Sequence, residues 1–321
     1  MKVLVTGAAG FIGSHLVDAL MARGDEVVGL DNFDPCYARR AKESNLAAAL
    51  RQPGFRLVEG SILDGALVER LLAPGMAVVH LAARAGVRPS LADPVGYAET
   101  NVTGTAAVAE AARRAGAVRL VFASSSSVYG NDSPRPFRED APALAPVSPY
   151  AATKRGAELL LSCLAPLHRL HVATLRYFTV IGPRQRPDLA IHAFTGRLVR
   201  GEEITLFGTG AEARDYTHVG DIVRGTLAAL DWTATAPVGM EVFNLGGSRA
   251  VALRDMVAVL AGALGVEPRI AWAPLQAGDV EYTAADLAKS ARVLGYRPRM
   301  PFEAGVRDFV RWYEEAHGHQ H

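Results

Sequence analysis

Short β-branched runs punctuate the first half of the chain at residues 2–6, 26–31, 55–59, 77–81, 118–123 and 171–177. Helix-length segments separate them, joined by short loops rich in Gly and Pro. That rhythm predicts βαβ units and a parallel sheet covered by helices on both faces. After Gly182-Pro183-Arg184-Gln185-Arg186-Pro187 the rhythm breaks, and runs become short and irregular, as in Ile204-Thr205-Leu206-Phe207. No repeat or low-complexity linker interrupts the chain. The pattern predicts an α/β protein with a doubly wound parallel sheet and a smaller C-terminal α/β lobe folded against it. Residues 1–177 form the first unit, with a returning segment at about 215–245, and residues 178–321 make up most of the lobe.

Ligands of open α/β sheets sit at the carboxyl ends of the strands, where Thr6, Asp31, Leu81, Ser124 and Tyr177 fall. The first such end reads Gly7-Ala8-Ala9-Gly10-Phe11-Ile12-Gly13. Gly7 suits a tight turn, Gly10 lets backbone approach a pyrophosphate, and Gly13 lets the helix pack on its strand. The helix N-terminus offers free N–H groups and a partial positive charge to that pyrophosphate. The spacing is Gly-x-x-Gly-x-x-Gly, and a plain tight turn is the bland alternative. A strand before it and an amphipathic helix after it favour a Rossmann-type dinucleotide site, with Phe11 and Ile12 on the same surface. Asp31, 18 residues past Gly13, closes the next strand beside Asn32. A carboxylate there accepts both ribose hydroxyls and repels a 2′-phosphate, which favours NAD over NADP. Its bland alternative is an Asx turn. Arg39 and Arg40 lie well past the strand end and read as a solvated face.

Composition narrows the partners. An apolar fraction of 50% and a net charge of +1 fit a globular protein with no basic excess for nucleic acid or a membrane surface. Cys36 and Cys163 make neither metal spacing nor a disulfide framework, consistent with a cytoplasmic protein; buried packing is the expectation for Cys163. No apolar run spans a bilayer, and the N-terminus enters a strand directly. The terminal His317-Gly318-His319-Gln320-His321 reads as a surface tail, and no metal site is expected.

Tyr150 and Lys154 are four residues apart, so on a helix they share a face. The lysine ammonium and a nicotinamide cation would lower the phenol pKa and make Tyr150 an acid–base group near neutral pH. Chance produces many such pairs. Here a hydroxyl source, Ser124-Ser125-Ser126-Ser127-Val128-Tyr129-Gly130, ends the preceding strand.

As a set, these motifs resemble the extended short-chain dehydrogenase/reductases, specifically the nucleotide-sugar epimerases and dehydratases. The resemblance takes in His80-Leu81-Ala82-Ala83, Asn101-Val102-Thr103-Gly104-Thr105, Arg176-Tyr177-Phe178 and Arg214-Asp215-Tyr216-Thr217-His218-Val219. It implies Ser125 as the catalytic hydroxyl beside Tyr150 and Lys154. It implies a cofactor surface from Leu81, Ala82, Ala83, Asn101, Ser124 and Tyr177. On the substrate side it implies Arg214 on a pyrophosphate, Thr205 and Phe207 flanking uracil, and Asp279 on a ribose. It also implies a homodimer built as a four-helix bundle from the helices near 96–114 and 149–165, where Ala106, Ala107, Ala111, Ala151, Ala152 and Ala157 permit close approach. The alternative is that these alanines face the sheet. One departure stands out: Gly60-Ser61-Ile62 replaces the Gly-Asp-Ile of related chains. Ser61 and Ile62 are still expected at the adenine, without charge assistance, and Asp64 reads as a helix N-cap.

The positions after Ser125 discriminate between reactions. Sugar 4,6-dehydratases resemble Thr-Asp-Glu at this point, and the decarboxylases carry a glutamate just before the valine. Ser126 and Ser127 offer no carboxylate, so elimination lacks its acid and base, and reversible oxidation at C4 of a UDP-sugar remains. Tyr177-Phe178-Thr179 followed by the 182–188 run resembles UDP-glucuronate 4-epimerases, whose threonine and second arginine bind the sugar carboxylate. Thr179 and Arg186 take those places, with Ser126, Ser127 and Arg88 as further sugar-side candidates. A UDP-glucose or UDP-N-acetylglucosamine 4-epimerase is the alternative. A non-catalytic NAD-sensing protein is the alternative of another class, against which stand the retained Ser125, Tyr150 and Lys154.

Overall fold

Strand formation follows the β-branched runs closely. The computed structural model describes residues 1–274 and 280–318, so Asp279 and the last three residues lie outside the described residues. In chain order the strands are β1 (Lys2–Thr6), β2 (Glu26–Asp31), β3 (Phe55–Glu59), β4 (Ala77–His80), β5 (Arg119–Ser125), β6 (His171–Tyr177), β7 (Thr179–Ile181), β8 (Ile204–Phe207), β9 (Ala213–His218), β10 (Gly239–Leu245), β11 (Ala250–Ala252) and β12 (Ile270–Ala273). Seven form one parallel sheet in the order β10-β6-β5-β4-β1-β2-β3. The six expected runs supply six of these strands. The seventh, β10, comes from the returning segment and pairs with β6. The order reverses between β1 and β4, and such a switch point opens a crevice at the carboxyl ends.

Side-chain alternation along β1 builds two cores. Val3 and Val5 pack with Leu16 and Leu20 of the helix Phe11–Ala22 and with Ile222 of the helix Val219–Trp232. Leu4 faces the opposite layer, with Val78, Leu120 and Val172, against Val108 of the helix Gly104–Arg114 and Leu161 of the helix Pro149–Leu167. Burying each such aliphatic side chain contributes roughly 1.5–3 kcal/mol. The smaller lobe carries the sheets β11-β9-β7 and β12-β8 over a third core that includes Ile181, Ile204, Leu206 and Phe309. One residue, Phe178, separates β6 from β7. The chain thus leaves the large sheet at its carboxyl edge, which puts Thr179 and the 182–188 loop there.

Two expectations change. Cys163 is exposed on the outer face of the helix Pro149–Leu167 rather than packed inside. Ala111, Ala151 and Ala157 are buried within the protomer, as in the sheet-facing alternative, whereas Ala152 is exposed and Ala106 and Ala107 are half-buried.

His80 links the sheet to the helices. Its Nδ1 lies 2.7 Å from Thr6 Oγ1 and its Nε2 3.1 Å from Thr105 Oγ1. The Thr105 hydroxyl donates to Asn101 O at 2.6 Å, so it accepts from His80 Nε2–H, and Nδ1 accepts from Thr6. Burial pushes the His80 pKa down from 6.5 to about 3. Between those values the unfolded chain binds a proton that the fold refuses, so stability rises with pH across that window. Urea unfolding of wild type and His80→Gln from pH 4 to 7 should differ in slope by up to about 1.4 kcal/mol per pH unit below pH 6.5. Parallel curves for the two proteins would overturn this assignment.

Candidate active site

The glycine turn is dictated by backbone proximity. Gly7 has φ +71°, and a Cβ there would lie 2.8 Å from Ala82 N. A Cβ on Gly13 would lie 2.0 Å from Gly7 O. Gly10 is extended and caps the helix Phe11–Ala22 without any side-chain hydrogen bond. The N–H groups of the first helical turn, from Phe11, Ile12 and Gly13, therefore stay free for a ligand oxygen, which fits a dinucleotide pyrophosphate. Asp31 is buried at the end of β2, where Oδ2 accepts from Ala9 N at 3.0 Å and Oδ1 from Phe33 N at 2.8 Å. The Asx turn leaves each carboxylate oxygen a further lone pair, which suits a ribose hydroxyl.

Ser61 Oγ accepts from Leu63 N at 3.1 Å, a local turn next to the buried Ile62, and Asp64 caps its helix through Leu67 N at 2.9 Å. Asn32 is exposed, and its Oδ1 accepts from Asp34 N. Arg39 is paired with Glu43 and Glu59 on the surface.

The loop 81–86, which includes Leu81, Ala82 and Ala83, is held by Asn101. That side chain accepts from Arg84 N at 2.8 Å and donates to Arg84 O at 2.9 Å and Thr153 Oγ1 at 3.0 Å. Asn101 sits in a π-helical segment, Glu99–Thr103, whose widened turn aims it at the loop. Its amide shapes the crevice wall by fixing that loop to the tyrosine helix.

Ser148 caps the helix Pro149–Leu167 by accepting from Ala151 N at 3.2 Å, and Pro149 occupies the first turn. Tyr150, Lys154 and Glu158 then recur every four residues along one face. Burial pushes the Tyr150 phenol above its usual range, and the Ser125 hydrogen bond and the Arg186 charge pull it back only in part. Ser125 Oγ donates to Ser127 Oγ at 3.1 Å and accepts from Ser127 N at 3.2 Å. Lys154 Nζ donates to Ala123 O at 2.8 Å, and burial lowers its pKa to about 7 against the opposing Glu158 charge. Protein groups alone therefore leave Tyr150 protonated at neutral pH. The positive ring of a nicotinamide cofactor, if bound beside it, would lower that pKa.

Glu158 is the main site feature that sequence reading passed over. It is fully buried and accepts from Ser124 Oγ at 2.5 Å, Arg176 Nε at 3.0 Å and Nη2 at 2.8 Å, and Arg155 Nη1 at 2.9 Å. Burial works to raise its carboxyl pKa, but Arg176, Ser124 and Arg155 hold it below the usual range. Ser124 thus directs its hydroxyl to Glu158. The signal was present in the spacing, since Glu158 follows Lys154 by one helical turn.

At the end of β6, Tyr177 Oη lies 2.8 Å from Thr226 Oγ1. Arg186 donates through Nε and Nη2 to Asp188 at 2.9 and 2.6 Å, and through Nη2 to Ala85 O at 3.1 Å. Ala85 O also accepts from Tyr97 Oη at 3.1 Å, and the Tyr97 ring stands edge-on to Tyr150 with centroids 6.4 Å apart. Arg186 and Tyr150 are joined through these contacts. Thr179 is half-buried at the start of β7, Ser126 is buried and Ser127 half-buried. Arg88 lies over the Phe207 ring at 4.9 Å, with Thr205 two residues earlier on β8. Arg214 turns Nη1 to Ala213 O at 3.1 Å on β9.

A glycine turn at the switch point, facing Ser125, Tyr150 and Lys154, fits a nicotinamide-dependent enzyme of the short-chain dehydrogenase/reductase type. The chain belongs to the NAD dependent epimerase/dehydratase family, whose model matches residues 3–246. It is 40% identical over 329 residues to UDP-glucuronate 4-epimerase 3 of Arabidopsis thaliana, covering 97% of this chain and 76% of that protein. The UDP-glucuronic acid 4-epimerase of Bacillus cereus, solved with UDP-glucuronic acid and NAD, matches with a TM-score of 0.91 at 33% identity, over 99% of this chain and 100% of that one. DesIV, a dTDP-glucose 4,6-dehydratase of Streptomyces venezuelae solved with NAD, also gives 0.91, at 35% identity over 99% and 98%. Fold likeness is nearly the same for these two proteins, so the site residues must separate the two reactions.

Removing Glu158 would leave the Arg176 guanidinium buried without its anion. Glu158→Ala should cost roughly 3–5 kcal/mol in urea unfolding. A loss below about 1 kcal/mol, the range of exposed pairs, would show that the cluster carries little of the fold.

Proposed function

We propose that this chain is a UDP-glucuronate 4-epimerase that interconverts UDP-glucuronate and UDP-galacturonate with NAD. The observation that carries this reading is Arg186. It is anchored on the carbonyl that also holds Tyr97 against Tyr150, at a site where Ser126 and Ser127 supply no carboxylate. A guanidinium there suits the carboxylate at C5. The missing acids argue against elimination of water. The relatives named UDP-glucuronate 4-epimerase support the same reading.

The residues divide the work as follows. Gly7, Gly10, Phe11, Ile12, Gly13 and Asp31 hold the cofactor's pyrophosphate and ribose, and Asn32, Ser61 and Ile62 flank its adenine end. Leu81, Ala82, Ala83, Asn101, Ser124 and Tyr177 form the wall toward its nicotinamide end. Bound NAD supplies the hydride acceptor and donor. Tyr150 takes the proton of the C4 hydroxyl, with Ser125 sharing that proton and Lys154 setting the charge around it. The 4-keto sugar would turn over, the hydride taken from C4 would return to its opposite face and Tyr150 would give the proton back to the C4 oxygen, so the reaction has no net redox change. The 4-keto uronate is a β-keto acid and loses carbon dioxide fastest when its carboxylate bond stands perpendicular to the ketone plane. Thr179, Arg186 and Ser127 hold that bond out of alignment, with Arg88 and Ser126 nearby. Arg214 takes the pyrophosphate, Thr205 and Phe207 the uracil, and Asp279 the ribose.

The strands β1–β6 with β10 thus serve the cofactor, and the lobe serves the sugar nucleotide. A cytoplasmic setting is supported by two free, exposed thiols. A homodimer through the helices Gly104–Arg114 and Pro149–Leu167 is supported by an exposed stripe on the second, where Ala152, Leu159, Cys163 and Leu167 follow at helical spacing. Light scattering at micromolar concentration should report a dimer, and Leu159→Lys should shift it to monomer. A monomeric wild type would overturn the bundle.

The substrate test uses UDP-glucuronate, UDP-glucose and UDP-N-acetylglucosamine separately, with products resolved by anion exchange. UDP-glucuronate should be epimerised preferentially, and Tyr150→Phe should bind it without turnover. Arg186→Ala should lower kcat/KM on UDP-glucuronate by about 30-fold or more, the equivalent of 2–5 kcal/mol for a desolvated charge pair, and should release some decarboxylated pentose. Equal losses on charged and neutral sugars, or a wild-type preference for UDP-glucose, would make the chain a general UDP-hexose 4-epimerase with Arg186 a loop charge.

A further inference from the structure

The helix that begins at the glycine turn also grips the loop that presents Arg186. His15 and Asp18 are three residues apart on the helix Phe11–Ala22 and face the same way. His15 Nε2 lies 2.9 Å from Pro183 O, and Arg184 Nη1 donates to Asp18 Oδ2 at 2.7 Å. Both contacts join residues more than 160 positions apart. Burial pushes the His15 pKa down to about 4, so at working pH the ring is neutral and its Nε2–H donates to the Pro183 carbonyl.

The loop itself is tightly wound. Gly182 has φ +135°, and a Cβ there would lie 2.8 Å from Val219 Cγ1. Arg184 has φ +62°, a left-handed conformation that a non-glycine residue holds only when its surroundings require it. Gln185 Nε2 donates to Val180 O at 2.9 Å, and His192 Nδ1 donates to Gln185 O at 2.6 Å. From residue 182 to 185 the path is fixed, and it returns Arg186 to the crevice beside Ala85 and Tyr97.

We propose that His15 and Asp18 are positioning residues for recognition of the substrate carboxylate, latching the 182–188 loop onto the helix whose N-terminus receives the cofactor pyrophosphate. The proposal rests on the reading that Arg186 takes that carboxylate. The latch makes the guanidinium's place depend on the seating of the cofactor helix. It acts on the sugar end of the substrate and leaves the uridine diphosphate end alone.

The test uses the NAD-loaded enzyme and four proteins: wild type, Asp18→Asn, Arg184→Gln, and the double reversal Asp18→Arg with Arg184→Asp. Aspartate tolerates the left-handed backbone at 184. The pair is partly exposed, so each single variant should raise KM for UDP-glucuronate about two- to fivefold. Turnover should stay within about twofold, and the inhibition constant of UDP, which lacks the sugar, should not change. The double reversal should return KM to near the wild-type value, a recovery that a loss of general packing would not produce. Unchanged KM in the single variants, equal increases for UDP-glucuronate and UDP, or no recovery in the reversal would each overturn the latch. If wild type does not use UDP-glucuronate, the substrate reading fails and the proposal falls with it. If wild type uses it and the variants are silent, the latch alone fails.

Discussion

Everything at the crevice depends on how closely the turn after β1 approaches the loop after β4. Gly7, Gly13 and Ala82 touch through backbone atoms, with no room for a Cβ at either glycine. That contact aims the free N–H groups of the helix Phe11–Ala22 at the switch point and places the 81–86 loop opposite them. Asn101, Thr6 and His80 then hold the loop from behind. A side chain at Gly7 would push the two walls apart, and one at Gly13 would displace the turn itself.

Charge is handled differently in the two layers of the site. One turn beyond Lys154 on the same helix face, Glu158 forms a buried pair with Arg176 of β6 and accepts from Ser124, which fixes the face that carries Tyr150 and Lys154. Such a pair adds little net stability over an apolar core, but removing one member leaves the other uncompensated. At the crevice itself the balance is left open. Burial raises the Tyr150 pKa, which keeps the phenol protonated, and lowers the Lys154 pKa to about 7, which leaves the amine poised between its two forms at neutral pH.

The direct passage from β6 to β7 brings Thr179 and the 182–188 loop to the carboxyl edge of the large sheet. With one residue between the strands, Tyr177 remains in the large sheet and Thr179 begins the smaller one. Enzymes with this backbone perform both epimerisation and dehydration, as the matching TM-scores show. On the proposed reading the difference lies in a few side chains, here Ser126, Ser127, Thr179 and Arg186, that alter the chemistry without altering the fold.

The large sheet was legible in the sequence because its strands are β-branched runs and its glycines answer a backbone demand. The same holds for the Tyr150–Lys154 spacing and the Asp64 cap, each of which depends on neighbours within a turn or two of helix. What tertiary structure decided are contacts between distant segments. Ser124 turns to Glu158, Asn101 to Arg84, and His15 and Asp18 to a loop more than 160 residues away. Tertiary packing also decided which alanines of the two long helices lie inside and left Cys163 outside. Local geometry repeats with the period of helix or strand and so can be read along the chain. A buried polar group instead pairs with whichever partner the packed layers bring within 3 Å, and no period in the sequence records that choice.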